Sequence, residues 1–545
     1  MKVDAYTIVI VLIYLAITAY LAYLGFKHTK NSQDYLVAGR RTHPLIMALS
    51  YGATFISTAA IVGFGGLAAN LGMGLLRLTV LNVFVGIFIA FIFFGKRTRK
   101  MGHTLDAHTF PELLSKRFDS KFIQVFAGAL IFVFMPIYAA GVIKGGANFV
   151  QTYFNIDFKV SLLVFVIIVA IYVCVGGLKG VMYTDAFQGL IMFAAMATLL
   201  IVAYVSLGGI TSAHTKLTHL FNDSNVQNSL KGAIGKGFQG WTSMPKFNSP
   251  TWWSLVSTVV AGVGIGVLAQ PQLVVRFMTV KSNKELNRAV LSGGLFILMM
   301  TGVAFVVGAL SNVLFFENVG IGKIAVEAAK NTDLIIPMFI KQYLPSWFSG
   351  IFLISMLAAA MSTLSSQFHA MGTAAGRDIY EKGLGKKGST MVITRSGILV
   401  VILVSTALAW IGSDIKVADG IINKFTTMFF ELTSAAFLPA FIGALYMKKM
   451  PKAAAKWGMV AGAVTWFFWT FFIHSNAAVM QICKLLTGKD TLVAGTALKN
   501  LSQIGTTLIA LPVAIIVTVV IWVIYNVNKK QDLSSQHIAR CFEGI

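Results

Sequence analysis

The sequence predicts an all-α polytopic membrane protein, and three observations carry that prediction. The chain of 545 residues is 57% hydrophobic and only 12% charged, with a mean hydropathy of +0.77, outside the range of soluble domains of this size. Thirteen apolar stretches can be marked, near 5–26, 44–70, 74–95, 122–146, 158–177, 182–206, 251–277, 289–316, 347–375, 391–412, 423–446, 455–474 and 504–527. Each is long enough to cross a hydrocarbon core of about 30 Å as a helix. The cations gather in alternate loops, HTKNSQDYLVAGRR, KRTRKMG, VKSNKELNR, RDIYEKGLGKK, KKMPKAAAK and the tail beginning NKK. By the positive-inside rule these loops are cytoplasmic, so a multi-pass protein of the plasma membrane is expected, N-terminus outside and C-terminus inside.

The first span follows only MKVD and runs past 20 residues without a small-residue cleavage site, so it reads as a retained helix. With the inner loop it forms an N-terminal addition, 1–43. The second span (PLIMALSYGATFISTAAIVGFGGLAA) and the seventh (TWWSLVSTVVAGVGIGVLAQPQLVVRFM) are Gly-rich and polar near the middle, and Pro271 brings no backbone N–H to the seventh. Such helices are expected to break inside the membrane; the simpler reading is that their glycines let helices pack closely. They open two runs of five spans, 44–206 and 251–446, separated by a polar outer loop at 207–250. An odd repeat unit inverts the second run, and broken helices in inverted repeats point to a secondary transporter. Residues 447–545 add two spans and a short inner tail.

The net charge of +24 does not indicate nucleic acid, because the cations lie in short loops between spans. Three cysteines are too few for a disulfide framework or zinc cluster. No HExxH, Walker A or nucleotide fingerprint occurs where it could work, and the longest outer loop has no catalytic grouping. No enzyme is indicated.

Residues 358–370, AAAMSTLSSQFHA, put Ser362, Ser365, Ser366 and His369 on one stripe of the ninth span, with Thr363 and Ala359 on its flank. A single membrane hydroxyl usually bonds its own helix or serves packing. Four in five positions, together with carbonyls freed by a broken helix, are the hard-oxygen set that suits a weakly held alkali cation. Asp185, at the inner start of the sixth span in GGLKGVMYTDAFQG, faces an aqueous path or a partner; Lys179 is one such partner, and a cation ligand is the other reading. Glu431 is eight residues into the eleventh span, about 12 Å deep, so it is protonated, paired or near something positive. Lys144 and Arg77, near outer span ends, are expected to snorkel.

At these residues the chain resembles the sodium:solute symporter family, which includes proline, pantothenate and sialic acid carriers and sodium–sugar cotransporters. The likeness rests on DYLVAGRR, TFPELLSKRF, GGLKGVMYTDAFQG, LAQPQLVVRFMTVKS, AAAMSTLSSQ with GRDIY, and PAFIGALYMKKMPKAAAKWGMVAGAVTW. It implies a LeuT-like fold of two inverted five-helix repeats rocking around a central site. It also implies a sodium site at Ala53, Ile56, Ala359, Ser362 and Thr363, and a second one, as in sialic acid carriers, at Asp185, Ser365 and Ser366. One or two Na⁺ per cycle are thus open, each moving down about 100 mV supplying about 2.3 kcal/mol.

For the solute, the resemblance matches Tyr138 and Gln270 to pocket positions of proline carriers. Phe55, Ala59, Val263 and Val267 depart from that pattern, which argues against proline. Glu431 stands where sodium–sugar members place a glutamine. Thr58, Tyr138, Gln270, Glu431 and Ser434 are therefore the pocket candidates, and the expected function is Na⁺-coupled symport of a small organic solute, an amino acid or carboxylate. Proton coupling through Glu431 or Asp185, and a transporter-like membrane sensor, are the alternatives.

Overall fold

The break in the second span is visible in its backbone. In the computed structural model, which describes residues 5–27, 32–175, 178–318, 322–386, 390–414 and 419–544, α1 is Ala5–Lys27 and α2 is Pro44–Phe55. His43 caps α2, with its ring nitrogen accepting from Leu45 N, and a proline opens its first turn. The helix stops at Ile56, whose φ of −90° and ψ of 102° are extended. A π-turn, Ala59–Gly63, then leads into α3, Phe64–Leu71. In an unbroken helix the carbonyls of Ala53 and Thr54 would accept from residues 57 and 58; the break releases them.

The chain returns through α4, Leu76–Val83, prolonged by Phe84–Gly95 and Lys96–Thr104. It then forms α5, Phe110–Phe118, and three long helices, α6 (Lys121–Phe154), α7 (Phe158–Val175) and α8 (Leu178–Ser206). The seventh span repeats the device of the second. Here α9, Pro250–Ala269, ends at an extended Gln270, φ −68° and ψ 116°, and Pro271 starts α10, Pro271–Phe277. Proline has no N–H to give and pushes its predecessor out of helical geometry. The glycines serve close approach as well: a Cβ on Gly266 would lie 2.2 Å from the Phe430 carbonyl oxygen, and one on Gly66 would lie 2.1 Å from that of Thr332.

The remaining long helices are α11 (Asn283–Asn318), α12 (Ser346–Thr373), α13 (Thr390–Asp414), α14 (Ile421–Tyr446), α15 (Lys452–Phe468) and α16 (Thr507–Val527). Among the described residues, ten helical runs are long and apolar enough to cross a membrane, and Pro44–Phe55 and Phe158–Ile171 are shorter apolar helices. Burial sorts them. The most apolar windows of the first and last runs are 22% buried, whereas that of Trp347–Gly383 is 94% buried. The hydroxyl helix α12 is therefore the core of the bundle, and its polar stripe faces protein.

Both ends of the bundle are closed by specific contacts. In the 207–250 loop, Trp241 donates from Nε1 to the Ala69 carbonyl at 2.6 Å, taking up one of the last carbonyls of α3. At the opposite end Thr109 caps α5 by accepting from Glu112 N at 3.1 Å. Arg377 grips the Glu112 carboxylate from Nε at 2.9 Å and Nη2 at 3.0 Å. Thr109 Oγ1 donates to Asp378 at 2.7 Å. TFPELL and GRDIY, far apart in sequence, are thus two sides of one clamp. Burial raises the pKa of Glu112, but bonds from His108 and Arg377 and the charge of Lys116 outweigh it and hold the carboxyl well below the usual range.

Candidate functional site

The released carbonyls of α2 meet the hydroxyls of α12. Ser362 Oγ donates to the Ala53 carbonyl at 2.9 Å, and Thr363 Oγ1 to the Thr54 carbonyl at 3.0 Å. Ser362 also reaches the carbonyl of Ala359 at 3.2 Å. Ala53, Ala359, Ser362 and Thr363 are fully buried, and Ile56 stands at the break with its N–H on the Gly52 carbonyl. The donor set is entirely neutral oxygen, the chemistry hard cations select. These oxygens can take a cation if the hydroxyls turn their protons away, which loosens α2 from α12. The structure thus brings together Ala53, Ala359, Ser362 and Thr363 of the five residues expected for the first sodium site, with Ile56 at the break beside them.

One turn along α12 the chemistry changes. Asp185 on α8 is not paired with Lys179. Arg276 on α10 is its partner, with Nη2 2.8 Å from Oδ2 and both side chains fully buried. Ser50 and Thr54 of α2 donate to the same carboxylate oxygen at 3.0 and 3.2 Å. Arg276 donates to Ser50 from Nε at 3.0 Å and from Nη2 to Ser366 at 2.6 Å and Thr54 at 2.5 Å. Ser366 joins this cluster as expected. Ser365 does not: its hydroxyl bonds back to the Ser362 carbonyl at 3.1 Å. Sequence reasoning passed over Arg276, Ser50 and Thr54. The signal was present, since an arginine inside the seventh span is itself a flag. A small cavity of about 20 Å³ lies beside this cluster, with Arg276, Ser366, His369, Thr109 and Asp378 on its wall.

On the far side of the α2 break is a second small cavity, about 20 Å³, room for about one water. Its described lining includes Phe55, Ser57, Asn82, Tyr138, Thr301 and Phe430, and none of the lining residues is charged. Tyr138 packs edge-on against Phe430 with ring centroids 5.4 Å apart. The buried Asn82 Oδ1 has no hydrogen-bond partner. Of the five expected pocket residues, only Tyr138 lines this cavity. Thr58 donates to the Val142 carbonyl at 2.6 Å. Gln270 donates to Thr433 at 3.1 Å, and Thr433 in turn satisfies the Gly266 carbonyl of the second break at 2.9 Å. Glu431 and Ser434 face the start of α16, where Glu431 Oε1 accepts from Thr506 N at 2.8 Å and Ser434 meets the Thr507 hydroxyl at 2.9 Å. Lys144 does not snorkel: it is 4% exposed, with Nζ 3.8 Å from Asp333.

Two broken helices, a neutral oxygen cluster at one break and a small cavity beside it define a secondary carrier of the membrane. A model of the sodium:solute symporter family matches residues 35–462, and the chain belongs to that family; it is a Na⁺-coupled solute symporter. Among its relatives, sodium/proline symporter 2 of Staphylococcus saprophyticus is 28% identical over 490 residues, covering 87% of this chain and 88% of that one. The sodium/proline symporter of Staphylococcus aureus is 28% identical over 497 residues, covering 88% and 89%. The fold is similar to that of a Na⁺-coupled sialic acid symporter in its substrate-bound outward-open state, with a TM-score of 0.71 at 19% identity, covering 95% of this chain and 97% of that one. That likeness identifies the LeuT-like architecture that the family resemblance implied.

Proposed function

We propose that this carrier moves a small, net-neutral amino acid inward, with Na⁺ bound at Ala53, Ile56, Ala359, Ser362 and Thr363. The observation that carries the ion assignment is the meeting of the Ser362 and Thr363 hydroxyls with the Ala53 and Thr54 carbonyls at the α2 break. The solute assignment rests on the cavity around Tyr138 and Asn82, which has aromatic walls, a few polar groups and no charged side chain. A zwitterion with an apolar body suits such walls, and a net charge would be desolvated there without a partner. The related carriers named for proline support the amino acid class, and Phe55 and Val263 on the cavity wall favour a side chain other than proline's ring. The cavity has to expand to take a solute, and parting of α2 from α12 provides the motion.

We place the N-terminus outside, the C-terminus inside, and the two five-helix units at 44–206 and 251–446, on the distribution of cations and on the corresponding breaks at Ile56 and Gln270. Uptake by the purified carrier in proteoliposomes, with Na⁺ replaced by choline at fixed pH, tests the reading. Accumulation of a neutral amino acid only under an inward Na⁺ gradient is the expected result. Accumulation driven equally by a proton gradient without Na⁺ would overturn it.

A further inference from the structure

The position that the resemblance gives to a second sodium ion already has a cation in it. Four oxygens converge there, the hydroxyls of Ser50, Thr54 and Ser366 and Oδ2 of Asp185. The Arg276 guanidinium donates to each of these residues, with Nη2 alone reaching Thr54, Asp185 and Ser366. Ser50, Thr54, Asp185 and Arg276 are fully buried, and Ser366 is 2% exposed. The cluster is neutral overall, because one guanidinium cancels one carboxylate. A Na⁺ entering it would meet a like charge at hydrogen-bond distance, and would find the carboxylate that could offset its own charge already paired with the guanidinium. The hydroxyl lone pairs that would ligate such an ion are already aimed at the guanidinium.

We propose that Arg276 is a tethered cation standing in for a second Na⁺, so that this carrier runs on one ion per cycle. The proposal rests on the sodium reading of the first site and deepens it. Arg276 lies on α10, the inner half of one broken helix, and holds Ser50 and Thr54 on α2, the inner half of the other. Its charge therefore travels with the helices instead of crossing the membrane, and contributes nothing to the driving force. Thr54 joins the two sites: its carbonyl accepts from Thr363 and its hydroxyl accepts from Arg276. Ser362 joins them again, since its carbonyl accepts from Ser366 at 3.0 Å while its hydroxyl faces Ala53. An ion entering the first site thus acts directly on the partners of the guanidinium.

Removing the tethered charge should create the second site. In Arg276→Gln the Asp185 carboxylate, whose Oδ1 has no hydrogen-bond partner, loses its cation and is left for a mobile one. The test is equilibrium binding of radiosodium to the purified carrier, counted per protein. The wild-type protein and Arg276→Lys should bind one ion, Arg276→Gln two, and the double variant Arg276→Gln with Asp185→Asn one. Two ions on the wild-type protein would overturn the proposal, as would one ion on a folded Arg276→Gln. No ion on the wild-type protein would overturn the sodium reading itself, and this proposal with it. The wild-type count decides alone, so a variant that fails to fold does not shield the proposal.

Discussion

Two clusters on α12, one helical turn apart, handle positive charge in opposite ways. Around Ser362 and Thr363 the protein offers only neutral oxygens, hydroxyls against the carbonyls freed at the α2 break. Around Ser366 it offers a carboxylate and also supplies the cation, Arg276. Both are buried and both bridge α2 to α12, so neither burial nor location separates them. The difference is the resident charge: the first cluster presents only oxygen dipoles, whereas at the second a buried guanidinium already satisfies the carboxylate.

The largest expected effect breaks the charged cluster. Arg276→Ala leaves Asp185 buried and unpaired, and should cost about 3–5 kcal/mol of stability. Thermal unfolding in Na⁺-free detergent solution reads this. Unchanged stability would erase the contrast between the clusters. The neutral cluster should behave otherwise. Ser362→Ala and Thr363→Ala each remove a hydrogen bond worth about 1 kcal/mol, so the proteins insert and fold, yet Na⁺-stimulated uptake is lost. Undiminished stimulation in both would remove the ion from this cluster.

The clamp at Glu112 gives a second charged reference, closer to the surface. Its depressed pKa means that its contribution to stability is complete above the ordinary carboxylate range and is lost as the pH falls through and below that range. Glu112→Gln should cost about 1.5–3 kcal/mol at neutral pH and flatten the acid side of a stability–pH profile; an unaltered profile would show that the Arg377 fork contributes nothing. In the cavity, Asn82→Leu should raise the KM for solute without changing the number of sodium ions bound, measured in the same proteoliposomes. A changed ion count would place Asn82 in the neutral cluster. The smallest effect is at Glu431. Its carboxylate accepts from Thr506 N, a role an amide carbonyl can fill, so Glu431→Gln should leave KM unchanged. A large rise in KM would return Glu431 to the solute pocket.

Much of the site was readable from local pattern. The stripe of Ser362, Ser365 and Ser366 follows from helical periodicity, and Pro271 announced the second break through its missing N–H. What misled was the step from position to partner. Lys144 lies near one end of its span, as a snorkelling lysine would, yet Asp333 arrives from a distant segment and both side chains are buried. Glu431 has the right depth for a pocket residue but the wrong rotation, and the start of α16 supplies its donor. Ser365 shares the stripe yet spends its hydroxyl on its own helix, because the stripe is wider than the contact it makes with α2 and α10.

Local pattern was enough to show that this chain is a multi-pass membrane protein and where two of its helices break, because hydropathy and proline are local properties. It also determined that hydroxyls would face the first break. Which charges meet is set by how the helices pack. Arg276 and Asp185 are 91 residues apart, and nothing in either segment specifies the other. Burial forces them together, since a carboxylate and a guanidinium withdrawn from water must each find a partner. The packing of both α10 and α8 against α2 and α12 leaves each of them the other.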